Sequence, residues 1–277
     1  MRIVDAQVHI WAADTPERPW PRAGAGGRTA VPQRPVAYGA DDLIADMDAS
    51  GIERAVLVAP SWEGERSDLV AAAHARFPER LVFMARIDHR PADAARTLRD
   101  LLALPGIRGF RFLLGTDIPL ADLPGLGWLW EAIAAAGRSI MIAPRGHFAA
   151  LAGIAERHPD LRITIDHLGA HAHRKGADAF ADVAAMLPLA RLPNVAVKAS
   201  GLPDYSALGS PYPDVEPYVR RVFDAFGADR VFFGSDLTRL PLGYPDLLAL
   251  FDSFAWLTGG ARQKVMGEAL LAWLRWD

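Results

Sequence analysis

The 277-residue chain contains no cysteine, and its 30 basic residues include only three lysines. The absence of cysteine excludes a disulfide framework, a thiolate metal site, an iron–sulfur cluster and a cysteine nucleophile. Any metal site in this chain must therefore use histidine and carboxylate ligands. Because lysine is so rare, each lysine can be weighed individually.

Long apolar runs and a strong net charge are also absent. No run reaches the about 18 apolar residues of a membrane span, and the N-terminus lacks the basic flank and apolar core of a signal peptide. The formal net charge of −3 shows no excess of basic residues of the kind that binds nucleic acid. We expect a cytoplasmic protein with neither a membrane nor a nucleic-acid partner. Aromatic residues in the long loops are compatible with a homodimer.

Short β-rich runs alternate with longer helical patterns along the whole chain. The predicted strands are 2–9, 54–59, 81–87, 107–113, 139–143, 162–167, 194–199 and 230–235. The predicted helices are 41–50, 67–77, 91–104, 128–136, 148–158, 178–190, 215–226, 245–256 and 262–273. Eight strands, each followed by a helix, predict an α/β fold with a single (β/α)₈ TIM barrel over residues 1–277. No glycine-rich phosphate loop follows strand 1, which disfavours a doubly wound open sheet.

Residues 12–40 interrupt this regular alternation. The segment is rich in proline, glycine and arginine and is too long for an ordinary βα connection. We expect it to be a lid-like insertion after strand 1 that borders the mouth of the barrel, either as an ordered lid or as a mobile segment.

Polar side chains are concentrated at the predicted C-terminal ends of the strands, where barrel enzymes place their catalytic groups. Among them, His9, His167 and Asp236 come from three strands of the same predicted barrel. A single histidine at a strand end is as often a hydrogen-bonded structural residue as a catalytic one. A carboxylate beside two imidazoles, however, is a common general-base arrangement.

Side-chain alternation along a strand adds two expectations about these ends. Asp5, Gln7 and His9 are spaced by two residues and should share one face of strand 1. Asp166 directly precedes His167 and should point to the opposite face as a structural acid.

Three further features of the strand ends bear on the chemistry. Lys198 lies in an apolar strand and needs a partner when buried; pairing with Asp166 or Asp236 is favoured over a substrate contact or a Schiff-base role. Arg111 is suited to bidentate binding of a substrate carboxylate, with an internal salt bridge as the alternative. No G-x-S-x-G elbow surrounds the strand-end serines, which disfavours a serine hydrolase.

Five motifs follow one another along the chain: DAQVHIW at 5–11, GIRGFRF at 106–112, TIDHLG at 164–169, NVAVKASGL at 194–202 and RVFFGSD at 230–236. In this order they resemble the amidohydrolase-2 branch of the amidohydrolase superfamily, and within it the lactonase group. The resemblance extends over essentially the whole chain. It implies a (β/α)₈ barrel that hydrolyses a small carbonyl compound, typically a lactone.

The resemblance also implies roles for particular residues. His9 matches the second histidine of the strand-1 His-x-His motif, His167 the strand-6 histidine and Asp236 the strand-8 aspartate. Arg111 matches a strand-4 arginine that in relatives helps to hold an anionic substrate. The departure is Gln7, which stands where the family has its first histidine.

Gln7 bears directly on the question of a metal. An amide oxygen is a poorer zinc ligand than an imidazole nitrogen, so we expect no bound metal and no required cofactor. The alternative is one Zn²⁺ or another divalent cation held by His9, His167 and Asp236.

The resulting hypothesis is a lactone hydrolase in which Asp236 activates water while His9, His167 and Gln7 stabilise the oxyanion. The substrate would be a small anionic or sugar lactone. Six residues are its predicted contacts: Arg111, His147, Lys198, Trp62, Tyr205 and His171. Trp62 serves equally well as apolar cover for the barrel mouth, and His171 could instead face solvent. Two rival functions are a metal-dependent decarboxylase of the same branch and a non-catalytic barrel that binds a ligand.

Overall fold

A computed structural model describes residues 1–20, 36–237, 240 and 242–277. Its centre is one parallel sheet in which β1 to β8 are neighbours in chain order. The strands are β1 Val4–Val8, β2 Arg54–Val58, β3 Leu81–Ala85, β4 Ile107–Leu113, β5 Ser139–Ala143, β6 Arg162–Ile165, β7 Val195–Ser200 and β8 Val231–Gly234. Beyond β8, the Asp236 N–H donates to the carbonyl oxygen of Gln7 at 2.7 Å. This contact brings β8 beside β1 and confirms the predicted (β/α)₈ TIM barrel.

Helices connect the strands and cover the outside of the barrel. They are α1 Ala40–Ser50, α2 Asp68–Arg76, α3 Ala94–Leu102, α4 Gly127–Ala135, α5 Phe148–Arg157, α6 Gly176–Ala179, α7 Val183–Met186, α8 Leu202–Tyr205, α9 Glu216–Phe226, α10 Tyr244–Ser253, α11 Gly259–Gln263 and α12 Ala269–Leu274. The prediction of one continuous helix over 178–190 was wrong. The structure has three short elements there: α6, α7 and a 3₁₀ turn at Leu187–Arg191. Pro188 explains part of this break, because proline lacks the N–H that a continuing helix needs.

The core has two layers on either side of the sheet. Inside the barrel, apolar side chains from the strands pack together, and α12 closes this layer at one end. The inner layer includes Val4, Ala6, Val56, Val58, Val82, Met84, Met141, Ala196 and Phe232. The alternate residues of the same strands face outward and pack against the helices. Both faces of the sheet are therefore buried, which explains the nearly continuous apolar strands.

A β-bulge in β1 changes which side chains face the barrel interior. Asp5 is in register with the outward-facing Ala55, whereas Val8 is in register with Leu57, so β1 has one extra residue. Because of this extra residue, the side chain of Gln7 points into the barrel, where it contacts Lys198. The expectation that Asp5 shares a face with Gln7 and His9 was therefore wrong, because a bulge interrupts the two-residue period.

The insertion after strand 1 is described at its two ends. Trp11 and Tyr38 exchange backbone hydrogen bonds of 2.9 and 3.1 Å, which joins the beginning and the end of the segment. Residues 21–35 lie outside the described residues, and most of the lid prediction falls on them. Within the described ranges, no helix is both long and apolar enough to cross a membrane.

Candidate active site

Asp236 lies at the centre of a buried cluster at the C-terminal ends of the strands. Its side chain is fully buried, with Oδ1 3.1 Å from Nε2 of His9 and Oδ2 3.7 Å from Nε2 of His167. The two imidazoles also retain only slight exposure. The three residues that sequence spacing singled out are thus brought together, although their catalytic roles remain predictions.

Each imidazole is oriented by a partner on its other nitrogen. Nδ1 of His9 lies 2.7 Å from the carbonyl oxygen of Val58, the last residue of β2. Nδ1 of His167 lies 2.8 Å from Oγ of Ser200, the last residue of β7. Both contacts fix the ring orientation, and the Val58 carbonyl oxygen, which can only accept, also fixes a hydrogen on Nδ1 of His9. They leave Nε2 of each ring directed towards Asp236.

The chain turns sharply directly after β6, and this turn corrects a prediction. His167 and Leu168 have φ values of 52° and 55°, an uncommon conformation for residues other than glycine. Strand alternation stops there, so Asp166 and His167 both reach the cluster. The expectation that Asp166 points to the opposite face was wrong for this reason.

Asp166 holds the two cations of the site. Its Oδ1 lies 2.6 Å from Nζ of Lys198, and its Oδ2 accepts a hydrogen bond of 3.0 Å from Nε of Arg111. Burial alone would raise the pKa of Asp166, but Lys198 and Arg111 outweigh it and hold that pKa at about 2. Burial lowers the pKa of the fully buried Lys198, and Asp166 opposes this effect. Asp166 was not among the predicted site residues, although two buried cations require an acid.

Lys198 also sets the orientation of Gln7. The ammonium group donates a hydrogen bond to Oε1 of Gln7, and an amide oriented in this way presents its N–H₂ group on the other side. There, Nε2 of Gln7 lies 3.4 Å from Nε2 of His9. Gln7 therefore faces the His9–Asp236 pair as a hydrogen-bond donor, and its oxygen is already engaged.

Gly201 provides the space that the Asp236 carboxylate occupies. A Cβ atom at this position would lie 3.2 Å from Oδ2 of Asp236 and 3.7 Å from Nδ1 of His167. Its φ of 64° also suits glycine. Any side chain at this position, directly before α8, would force the carboxylate to shift by a few tenths of an ångström.

Arg111 is anchored at one nitrogen and open at the others. Only its Nε has a hydrogen bond to a described residue, and about 9% of the residue is exposed. The predicted internal salt bridge and the predicted substrate contact are therefore compatible in geometry. The terminal amino groups remain available to an oxyanion.

The other predicted substrate contacts occupy different surroundings. The ring of Tyr205 is buried 6.1 Å from that of His167, and Nε2 of His171 lies 2.8 Å from Oδ2 of Asp182. Trp62 packs edge-on against Trp11 at 5.7 Å, and its indole N–H makes no hydrogen bond to the described residues. His147 is the residue directly before α5, and its side chain makes no capping hydrogen bond to the helix. The structure thus brings Tyr205 directly against the cluster.

Asp5 supports the cluster from the outer face of β1. Its carboxylate accepts hydrogen bonds from the backbone N–H groups of Gln7 and Ser235 at 2.9 and 2.7 Å. The Tyr244 hydroxyl donates a third at 2.8 Å. Burial nevertheless raises the pKa of Asp5 to about 6. Asp5 thereby ties β1 to the segment that carries Asp236.

The donor set does not fit a metal centre well. Across the described ranges, no group of three or more histidine and carboxylate side chains is arranged to hold a metal ion. His9 and His167 approach opposite oxygens of Asp236. The Gln7 oxygen accepts from Lys198, whose ammonium adds positive charge where a cation would need negative ligands.

A parallel barrel with polar side chains gathered at the C-terminal ends of its strands has the architecture of the (β/α)₈ barrel enzymes. The comparison with known families specifies this class further. The sequence model of the Amidohydrolase family matches residues 4–274. The chain belongs to that family.

Individual relatives agree with this assignment. L-fucono-1,5-lactonase of Burkholderia ambifaria is 35% identical over 246 residues, which cover 84% of this chain and 79% of that protein. 4-Sulfomuconolactone hydrolase of Hydrogenophaga intermedia is 30% identical over 200 residues, which cover 71% of this chain and 64% of that protein. Among solved structures, an amidohydrolase of Burkholderia multivorans with bound zinc has a TM-score of 0.78 at 22% identity, and 99% of each chain is covered.

Proposed function

We propose that this protein is a hydrolase that opens a small lactone, with Asp236 as the base that activates water. The observation that carries the proposal is the position of the buried Asp236 carboxylate between two imidazoles, each fixed through its other nitrogen. The family membership supports hydrolysis. The two curated relatives, both named for lactones, support this substrate class.

The first step is attack of water on the lactone carbonyl carbon. The ionised Asp236 removes a proton from the water as the new C–O bond forms, and the carbonyl oxygen becomes an oxyanion. A base positioned in this way typically contributes about 10²–10⁴-fold to the rate. The product of this step is a tetrahedral intermediate beside a protonated Asp236.

Two neutral donors are available for the oxyanion. We assign the Ser200 hydroxyl as the donor to Nδ1 of His167, 2.8 Å away, so that the ring carries its hydrogen on Nε2, which faces the cluster. The amide of Gln7 contributes an N–H because Lys198 holds its oxygen. His9 already gives its Nδ1 hydrogen to Val58, so it donates through Nε2 only when the ring is doubly protonated.

Ring opening completes the reaction. The intermediate collapses, the bond between the carbonyl carbon and the ring oxygen breaks, and the protonated Asp236 returns its proton to the leaving oxygen. The product is a hydroxy acid, and Asp236 is again ionised for the next turnover. In this sequence Asp236 serves first as general base and then as general acid.

Arg111 gives the site a preference for an acidic group on the substrate. Its Nε is held by Asp166, so the guanidinium is oriented before substrate binds, and its terminal nitrogens can pair with a carboxylate or sulfonate. Anionic lactones should therefore bind more tightly than neutral sugar lactones of the same ring size.

We further propose that turnover needs no metal ion. The engaged oxygen of Gln7 and the neighbouring Lys198 ammonium support this proposal. Elemental analysis of the purified protein, with activity assays before and after dialysis against a chelator, tests it. We expect full activity at a metal content far below one ion per chain. Activity that disappears with the chelator and returns with Zn²⁺ would assign His9, His167 and Asp236 to a metal instead.

A lactone panel tests the proposed reaction. Five- and six-membered sugar lactones and ring lactones bearing a carboxylate or sulfonate are incubated with the enzyme, and acid release is followed with a pH indicator. Reactions without enzyme correct for spontaneous hydrolysis. We expect saturable turnover of at least one lactone. Release of CO₂ from a hydroxybenzoate, without any lactone turnover, would favour the decarboxylase.

A further inference from the structure

A cavity of about 500 Å³ lies at the opposite end of the barrel from Asp236. Arg138 precedes β5 and Arg162 begins β6, so the cavity borders the N-terminal ends of these strands. Arg157 and Arg275 complete a set of four arginines around it. We call this space the basal cavity. The proposed lactone chemistry uses none of its residues.

The positive charge of the basal cavity is poorly balanced. Burial lowers the pKa of Arg162, and the neighbouring Arg275 lowers it further. Two acidic side chains line the cavity, Glu131 and Asp160, but neither forms an ion pair with the four arginines within the described ranges. A set of guanidinium groups without carboxylate partners attracts an anion.

The arginines around the basal cavity are not explained by a role in capping the C-terminal ends of the neighbouring helices. At the end of α4, the carbonyl oxygens of Ile133 and Ala134 accept hydrogen bonds from the backbone N–H groups of Arg138 and Gly137. These carbonyl oxygens therefore need no hydrogen bond from an arginine side chain. Gly137, with a φ of 67°, also makes room for an arginine, because a Cβ there would lie 3.1 Å from Nη1 of Arg275.

At the end of α5, Asn194 does the capping. Its amide nitrogen donates to the carbonyl oxygens of Ala155, His158 and Leu161 at 3.0–3.1 Å. Of the four cavity arginines, Arg162 binds a carbonyl oxygen, at Trp273. The side chains of the other three have no hydrogen bond to a described residue.

Arg138, which lines the basal cavity, has a side-chain nitrogen without a hydrogen-bond acceptor in the described part of the chain. Nε of Arg138 is buried and has no hydrogen-bond partner among the described residues. A buried donor without an acceptor is costly, and an oxyanion in the cavity would satisfy it.

We propose that the basal cavity binds a small anion with two or more negative charges, carried by phosphate or carboxylate groups. The four arginines supply forked donors that match either group in geometry. A cavity of about 500 Å³ is large enough for a diphosphate or a tricarboxylate. The site is separate from the catalytic end, so its ligand need not be a lactone.

Isothermal titration of the full-length protein with inorganic pyrophosphate, and separately with citrate, at low ionic strength tests this proposal. We expect one equivalent of at least one probe to bind, and the probe that binds identifies the chemical group. Arg138→Gln and Arg275→Gln should each weaken binding about tenfold or more, the loss expected for one charge-assisted hydrogen bond.

Two control variants locate the binding. Arg220→Gln changes an exposed arginine that pairs with Asp224 on α9, and it should leave the affinity unchanged. Arg111→Gln removes the cation at the catalytic end and should also leave it unchanged. Loss of binding in Arg111→Gln, equal binding in the Arg138→Gln/Arg275→Gln double variant, or no saturable binding of either probe would overturn the proposal.

Discussion

The ammonium of Lys198 donates a hydrogen bond to the amide oxygen of Gln7. Both side chains are fully buried, so this contact fixes which end of the amide faces the reacting group. The nitrogen of Gln7 is left on the side of His9, at 3.4 Å from Nε2. At the position where the family carries its first histidine, this chain therefore presents an oriented hydrogen-bond donor.

Removal of this donor should slow the chemical step. We expect Gln7→Leu to lower kcat by about 10²–10³, the usual loss for one oxyanion donor, with a smaller change in KM. Gln7→Glu is the matched variant, because it keeps an oxygen for Lys198 but has no N–H. A similar loss in both variants supports the donor role. Nearly full activity in Gln7→Glu would show that the amide N–H does not act on the oxyanion.

Arg111→Gln tests the recognition of an acidic substrate group. The change removes a charge-assisted hydrogen bond worth about 1.5–3 kcal/mol, so we expect KM for carboxylate- or sulfonate-bearing lactones to rise about 10–100-fold. KM for neutral sugar lactones should change much less. Steady-state kinetics on both substrate types measures the difference. Equal losses on the two types would mean that Arg111 acts mainly through Asp166.

Gly201→Ala tests the space beside Asp236. A methyl group there would displace Oδ2, which lies 3.2 Å from the Cβ position, by a few tenths of an ångström. Because a shift of about 1 Å in a reacting group can cost about 10²-fold in rate, we expect this smaller shift to lower kcat by about 3–10-fold.

Gly51→Ala is the matched control for this change. Gly51 has nearly the same left-handed backbone as Gly201, with φ values of 70° and 64°, but nothing lies within 4 Å of its Cβ position. Both variants should lose about 1–2 kcal/mol of stability from the backbone strain, as measured by urea unfolding. Only Gly201→Ala should lose activity; equal activities in the two variants would refute the crowding effect.

Asp5 should make the stability of the protein depend on pH. Its pKa of about 6 in the folded state lies above its ordinary value of 3.8, so the folded state favours the protonated form. This contribution is fully present below pH 3.8 and is lost as the pH rises to about 6. Asp166 acts in the opposite direction: its pKa of about 2 gives a contribution that is present above pH 3.8 and lost as the pH falls towards 2.

Tyr244→Phe distinguishes the contribution of Asp5 from that of Asp166, because Tyr244 donates its hydrogen bond to Asp5. The variant removes a hydrogen bond to the Asp5 carboxylate and should destabilise the protein by about 1.5–3 kcal/mol at pH 8, where Asp5 is ionised. The loss should be smaller at pH 5. Urea unfolding at both pH values measures it. Adding Tyr244→Phe to Asp5→Asn should remove the pH dependence of the loss; if the dependence persists, another group is responsible.

Much of the fold and the centre of the site could be predicted from the sequence. Continuous apolar strands alternating with helices specify a parallel barrel, and the barrel brings strand ends together. His9, His167 and Asp236 therefore converge whatever the exact length of each strand. For His9 and Asp236 this follows from the topology of the barrel, whereas His167 also needs the left-handed turn after β6.

Local departures from regular geometry could not be predicted in the same way. The bulge in β1 reverses the face of Asp5 relative to Gln7, and the left-handed turn at His167 brings this imidazole to the same side as Asp166. Neither departure has a glycine or proline at the residue concerned. The pairing of Lys198 with Asp166 was one of the predicted alternatives and is confirmed. That Asp166 also accepts a hydrogen bond from Arg111 could not be predicted from the sequence.

The most direct test of the central claim is the turnover of Asp236→Asn on the best lactone of the panel. The substitution keeps the size of the side chain but removes the base. We expect kcat to fall at least about 10²–10⁴-fold, the contribution of a positioned general base, while the variant unfolds at a similar urea concentration. A folded Asp236→Asn protein that retains most of the wild-type turnover would contradict the mechanism.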